Sequence, residues 1–279
     1  RLCSSSVILT PVFCLLTASP MFPLILYHPP FVIPAFFFMV MIGVLTATFY
    51  LYFRAPKLGF SQIAVLDMGI VGAIFGILGA RIFHVLFEYP QYYLEHPMRF
   101  FEFWRGGFVS FGAYILGATA VIVYLKIRKL PIAKYGDFVA LCLPIIVFFV
   151  RLGCLGAGCC YGKPTDWHFH LVFTNTGSDA GSKFAGIPLY PTQILDQMNA
   201  VFIFVVLHLR YKHKKFDGEI ALLFFALYAI IRSAIELLRG DMDRGVYFNG
   251  HVSTGQITSA VFVLICATVY VILWKRNRK

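Results

Sequence analysis

Apolar positions in this chain come in long continuous runs, not in the alternation that marks a barrel strand. Runs near the ~20 residues needed to cross a hydrocarbon core of ~30 Å recur along it. They cover approximately 32–53, 62–87, 108–125, 137–150, 193–209, 219–238 and 254–274. In lipid the backbone must satisfy its own hydrogen bonds, so continuous apolar runs form helices. The pattern predicts an all-α integral membrane protein, a bundle of seven transmembrane helices.

Charge refines this picture. Only 13% of the 279 residues are charged and 59% are hydrophobic, whereas about a quarter of a soluble domain is charged. The net charge of +11 would suit nucleic acid, but its placement argues against that partner. Basic residues gather at Arg54 and Lys57, at Lys126 to Lys134, at Arg210 to Lys215, and at Lys275 to Lys279. These are every second connection plus the C-terminus. The positive-inside rule then places the N-terminus outside and the C-terminus in the cytoplasm. Membrane lipids, not nucleic acid, are the expected surroundings.

Residues 1–30 read as an N-terminal extension. Translation is expected to start at Met21, with a cleaved signal peptide as the second reading of the apolar opening stretch. Residues 31–279 read as one transmembrane domain. Its most polar part, about 163–190, mixes β-prone pieces with Gly, Asn, Asp and Ser turns. We expect a small extracytoplasmic cap there.

Ionisable residues inside or at the rim of the spans are the main chemical clue, since each costs at least ~2.5 kcal/mol at mid-membrane unless partnered or wetted. They are Arg81, Arg151, Arg232 and Glu236. Tyr228, Arg232, Glu236 and Arg239 recur at helical spacing and share one face. Guanidinium forks bind phosphate oxygens bidentately, so converging arginines suit a phosphate. The plainer alternative pairs Arg232 with Glu236 and lets the other arginines snorkel to the headgroups. Four arginines beside a glycine-rich loop favour a polar cavity.

That loop, RLGCLGAGCCYG from Arg151 to Gly162, carries three of the seven cysteines. C-x4-C-C lacks the paired spacing of zinc and iron–sulfur sites, so neither metal nor cofactor is expected. Packed thiols and a bridge from Cys154 to Cys159 or Cys160 both stay open. Gly153, Gly156, Gly158 and Gly162 permit close backbone approach, and the loop could offer amides to an anionic headgroup.

Several segments, in order, resemble the bacterial prolipoprotein diacylglyceryl transferases. RLGCLGAGCCYG is similar to a cysteine-containing variant of the family's glycine-rich signature loop. ILGARIFHVL, GGFVSFGAYILG, DFVALCLP, YPTQILD, YAIIRSAIELLRGD and STGQITS match further family elements, from about Phe31 to the C-terminus. The resemblance implies transfer of a diacylglyceryl group from phosphatidylglycerol to the lipobox cysteine of a prolipoprotein signal peptide, at the bacterial inner membrane. Glycerol phosphate would leave. It implies Arg151 and Arg232 as phosphate-binding and leaving-group residues, with Tyr228 and Glu236 orienting them. Arg81 and Arg239 would be supporting cations. Gly153, Cys154, Gly158 and Gly162 would shape the headgroup pocket, and Gln193 and Asp196 would support it. Phe111 stands where many members carry a histidine or tyrosine, and it cannot take a proton. That departure keeps two alternatives in view: a paralogue with another acceptor, and a lipid-binding protein without chemistry.

Overall fold

The computed structural model describes residues 24–28, 31–102, 109–241, 246–247 and 252–276. Met21 and most of the expected N-terminal extension lie outside the described residues, as does the side chain of Phe111. The helices are α1 (Ala35–Arg54), α2 (Gln62–Phe83), α3 (Pro90–Glu95), α4 (Ser110–Ile127) and α5 (Ile132–Ala140). They continue as α6 (Leu143–Ala157), α7 (Asp179–Phe184), α8 (Thr192–Tyr211), α9 (Glu219–Glu236) and α10 (Thr254–Arg276). Three small antiparallel hairpins complete the described elements: β1 (Leu24–His28) with β2 (Phe31–Pro34), β3 (Leu171–Val172) with β4 (Pro188–Leu189), and β5 (Val246–Tyr247) with β6 (Val252–Ser253).

Among the described residues, four helical stretches are long and apolar enough to cross a membrane: Ala35–Arg54, Gln62–Phe87, Thr192–Tyr211 and Ser259–Arg276. The pair α5 and α6, bent by 43°, makes a fifth if counted as one broken span. The apolar runs at 108–125 and 219–238 are helical too, as α4 and α9, but fall short of that standard. Gly112–Ile127 is short, and α9 carries Glu219, Arg232 and Glu236.

The run expected at 137–150 is the one the structure most alters. Helix breaks at Leu141 and Cys142, two residues before Pro144. Proline has no N–H to give and its ring crowds the carbonyl four residues earlier. The chain then stays helical to Ala157, so the first half of the expected signature loop is the end of α6.

Packing follows the logic of a lipid solvent. Large apolar side chains face outward, Phe53 at 67% and Leu209 at 71% exposure, while Asp137, Gln193, Asp196, Asn199, Glu219 and Glu236 are buried. Glycine lets helices cross closely: a Cβ on Gly79 of α2 would lie 2.3 Å from the Gly112 oxygen of α4. The main apolar cluster joins α1, α2, α5, α8 and α9, with Phe60 stacked on Phe138 at 4.2 Å between centroids.

One buried carboxylate organises that end. Asp137 of α5 is fully buried. Its Oδ1 accepts from the amides of Ile220 (2.8 Å) and Ala221 (3.1 Å). Its Oδ2 accepts from the Gly218 amide (2.8 Å) and Lys214 Nζ (2.9 Å). A residue distant in sequence thus caps the N-terminus of α9, where orphan amides and the helix dipole favour an anion.

The segment 163–190 folds over a second, smaller cluster of Tyr161, Leu171, Phe173, Ala180 and Leu189. The β3–β4 ladder is joined by the single-turn α7, whose N-cap Ser178 accepts from the Gly181 amide at 3.1 Å.

Removing the Asp137 carboxylate strands three amides and leaves Lys214 with Asp217 alone. Asp137→Ala should destabilise the protein by ~3 kcal/mol, and Asp137→Asn by less, read as thermal midpoints in detergent. Burial lowers the Lys214 pKa, but Asp217 and Asp137 outweigh it and raise it above the usual value. A raised folded pKa contributes stability fully present below the unfolded value and lost as pH rises through the folded one. The Lys214 contribution should therefore hold at neutral pH and fade only above the ordinary lysine range of about 10.4.

Candidate active site

Three helices bring the predicted charges together. Arg151 stands near the end of α6, Asp196 in the first turns of α8, and Arg232 and Glu236 one turn apart on α9. Arg151 Nε lies 3.1 Å from Asp196 Oδ2, and Arg232 Nε lies 4.0 Å from the same oxygen. Arg232 Nη1 pairs with Glu236 Oε2 at 2.7 Å, and Arg239 Nη1 reaches that oxygen at 3.4 Å. Arg239 also donates through Nε to Asp241 Oδ1 at 2.9 Å. The result is an alternating chain, Arg151–Asp196–Arg232–Glu236–Arg239–Asp241, and the three arginine side chains are only 11–14% exposed.

Close approach has not saturated these groups. Arg151 Nε, Arg232 Nη1 and Asp196 Oδ1 are buried and make no aligned hydrogen bond. These donors are ion-paired with carboxylates but not in aligned hydrogen bonds, and converging guanidiniums are what an incoming anion needs. A separate apolar groove of about 360 Å³ lies on the outer side of α6 and α8, lined by Phe148, Ile194, Gln197, Met198, Val201 and Phe202. Met198, Val201 and Phe202 lie on the exposed face of α8, whereas Asp196 lies on its buried face with Gln193, Asn199 and Ile203.

The glycines act through packing. A Cβ on Gly153 would lie 3.0 Å from the Phe36 Cα of α1. Gly158 terminates α6 in the left-handed region (φ 69°), its amide bonded back to Cys154 and Leu155. Gly162 passes so near Tyr190 that a Cβ would meet its oxygen at 2.3 Å. The amides expected to face a headgroup are used internally at Gly158 and Cys159, so positive potential here comes from guanidiniums. A short ladder ties this loop to the end of α9, with the Lys163 amide on Leu238 O (2.8 Å) and the Gly240 amide on Tyr161 O (3.0 Å). That ladder carries Arg239 to the site.

Arg81 is placed differently from expectation. It is 2% exposed, and its guanidinium donates to the carbonyls of Phe100 (3.0 Å), Arg99 (2.6 Å) and Glu102 (3.4 Å) and lies over the Tyr93 ring. Its visible work is holding the 97–102 segment. Gln193 supports the loop through Nε2 to Cys159 O at 2.9 Å. Thr192, which the motif reading passed over, does the same through Oγ1 to Cys160 O at 2.8 Å. Tyr228 stacks with Phe224 and lies within electrostatic reach of Arg151. Tyr114 of α4 was also missed. Its ring is 63% exposed, yet its hydroxyl is within electrostatic reach of Tyr228, Arg151 and Cys154. The available signal was its position one turn after Phe111.

The cysteines are closer than their spacing suggested. Cys154 sits in the last turn of α6, and left-handed conformations at Gly158 and Cys160 (φ 60°) fold Cys159 and Cys160 back over it. The three Sγ atoms lie within 4.8 Å of one another. Hydrogen bonds from Cys154 and Cys159 hold the Cys160 thiol below the usual thiol range; Arg151 and Arg239 add to this, against burial. Of the residue groups that could hold a metal ion, this is the one the described residues assemble.

Comparison with known proteins gives the same direction. The family model for prolipoprotein diacylglyceryl transferase matches residues 23–273. The phosphatidylglycerol–prolipoprotein diacylglyceryl transferase of Clostridium tetani is 33% identical over 235 residues, 83% of this chain and 90% of that protein. Transferase 2 of Clostridium perfringens is 32% identical over 231 residues, 82% of this chain and 86% of that protein. The Clostridioides difficile enzyme is 28% identical over 85% of this chain. The chain belongs to the prolipoprotein diacylglyceryl transferase family.

Proposed function

We propose that this protein transfers the diacylglyceryl group of phosphatidylglycerol to the lipobox cysteine of prolipoproteins, at the bacterial inner membrane. The observation that carries the reading is the pair of arginines, Arg151 and Arg232, converging on one oxygen of Asp196. A phospholipid headgroup is an anion, and converging guanidiniums suit its phosphate. The domain is taken as residues 31–279, with seven spans, the N-terminus outside, the C-terminus inside, and 163–190 as an extracytoplasmic cap. The basic connections support that orientation.

The chemistry is a substitution at a glyceryl carbon. The lipobox sulfur forms a C–S bond as the C–O bond to phosphate breaks. The thiol proton ends on the phosphate of the released glycerol phosphate, so atoms and charge balance without a cofactor. Negative charge grows on the leaving phosphate oxygen, and Arg151 and Arg232 are the fixed cations placed to meet it. Glu236 and Asp196 hold both guanidiniums in position when the site is empty. Tyr228 and Tyr114 contribute hydroxyls at its wall, Gln193 and Thr192 fix the loop behind it, and Arg239 completes the cationic rim.

Arg151→Ala and Arg232→Ala should each lower transfer from labelled phosphatidylglycerol to a lipobox peptide by at least about 100-fold. They should also fail to rescue cells depleted of the host transferase. Lipid binding without thioether formation by the unmodified protein would overturn the reading. Gly162→Ala should push the loop off Tyr190 and reduce both thermal stability and transfer. Gly136→Ala, where a Cβ meets nothing within 4 Å, should leave both unchanged.

A further inference from the structure

The converging thiols of Cys154, Cys159 and Cys160 are not needed as nucleophiles in that transfer, since the attacking sulfur belongs to the substrate. We propose that they form a three-thiolate binding site for a soft d10 metal ion, Cu+. Thiolate donors select soft ions, Cu+ and Zn2+ foremost. With metal–sulfur bonds of about 2.3 Å, a trigonal site needs sulfurs about 4 Å apart. Here they already lie within 4.8 Å, so small side-chain shifts close the site.

The choice between the two ions rests on the donor set. Zinc in a structural site takes four ligands. Among the described residues no histidine or carboxylate joins the three sulfurs, whereas three thiolates suffice for Cu+. Charge points the same way. Cu+ with three thiolates carries −2, and Arg151 and Arg239 both lie within electrostatic reach of Cys160.

The scaffold is already formed. The Cys159 amide donates to Cys154 O at 3.1 Å. Gln193 holds the Cys159 carbonyl and Thr192 the Cys160 carbonyl. Such outer contacts orient ligands before the ion arrives. The left-handed Cys160 is the one strained ligand, in a conformation that non-glycine residues rarely adopt. It is the residue that turns the third sulfur inward.

The test uses the purified full chain in detergent, anaerobic and fully reduced, titrated with Cu+ against a chromogenic Cu+ chelator. The expected result is one Cu+ per chain more than the Cys154→Ser/Cys159→Ser/Cys160→Ser variant binds. The Cys142→Ser/Cys266→Ser variant should retain that ion. Cys160→Ser alone should weaken binding by about 100-fold or more. X-ray absorption on the copper-loaded wild type should show three sulfur scatterers near 2.3 Å, which decides the matter even if the triple variant misfolds. Equal binding by a folded triple variant, two-sulfur coordination, displacement of Cu+ by equimolar Zn2+, or a Cys154 disulfide that persists under reductant would each overturn the proposal.

Discussion

The Asp196 carboxylate holds two arginines from two other helices, and the upper part of this bundle depends on it. A lone guanidinium among apolar helices is expensive, at least ~2.5 kcal/mol on insertion scales. Arg151 on α6 and Arg232 on α9 are tolerable because α8 supplies one negative charge between them. The shared carboxylate thereby decides where three helices meet. Both arginines approach the same oxygen, Oδ2, so two forks with five donors each share one acceptor there, and Glu236 takes a further donor of Arg232. In the proposed reaction that leaves donor capacity for an anion that must bind and leave in each turnover. Full saturation would make the empty state too stable.

Elsewhere the same constraint appears as capping. Asp137 is buried as completely as any core phenylalanine, yet it is the anion at the start of α9 and the partner of Lys214. Glu219, in the first turn of that helix, accepts Arg210 Nε at 2.8 Å. Helix α9 is therefore held by carboxylates at both ends, Asp137 and Glu219 below, Glu236 above. That arrangement fixes its axial position, and the axial position sets the height of Arg232. An apolar helix sliding in lipid has little to resist translation; buried ion pairs at both ends supply that resistance.

How much of this could be read from the chain depends on whether a feature is local. The apolar runs and the helical face Tyr228–Arg232–Glu236 are local patterns; six runs correspond to single helices, the 137–150 run is divided between α5 and α6, and four or five helical stretches are long and apolar enough to span. Pro144 stood in plain view, but its consequence, the break at Leu141 and Cys142, needed the register of the following helix. The hold of Arg81 on the carbonyls of Arg99, Phe100 and Glu102 was not legible, because backbone carbonyls carry no sequence signal. The cysteine cluster was missed for a different reason. Metal-site spacings assume a simple turn between ligands, whereas here a helix end and two left-handed residues bring C-x4-C-C together.

Phe111 stands where the resemblance implies a histidine or tyrosine, and the balance of the proposed reaction limits what that implies. The overall transfer moves one proton from a thiol to a phosphate, so it requires a path for that proton and no net base. A residue that accepts it briefly speeds the path. In the proposed site the Tyr114 and Tyr228 hydroxyls lie near Arg151, and a hydroxyl can receive one proton while giving up another. Tyr114 follows Phe111 by one helical turn, so loss of a titratable group at one position on α4 leaves a proton-carrying group on the next turn. The departing phosphate, held against the guanidiniums, is then the final acceptor.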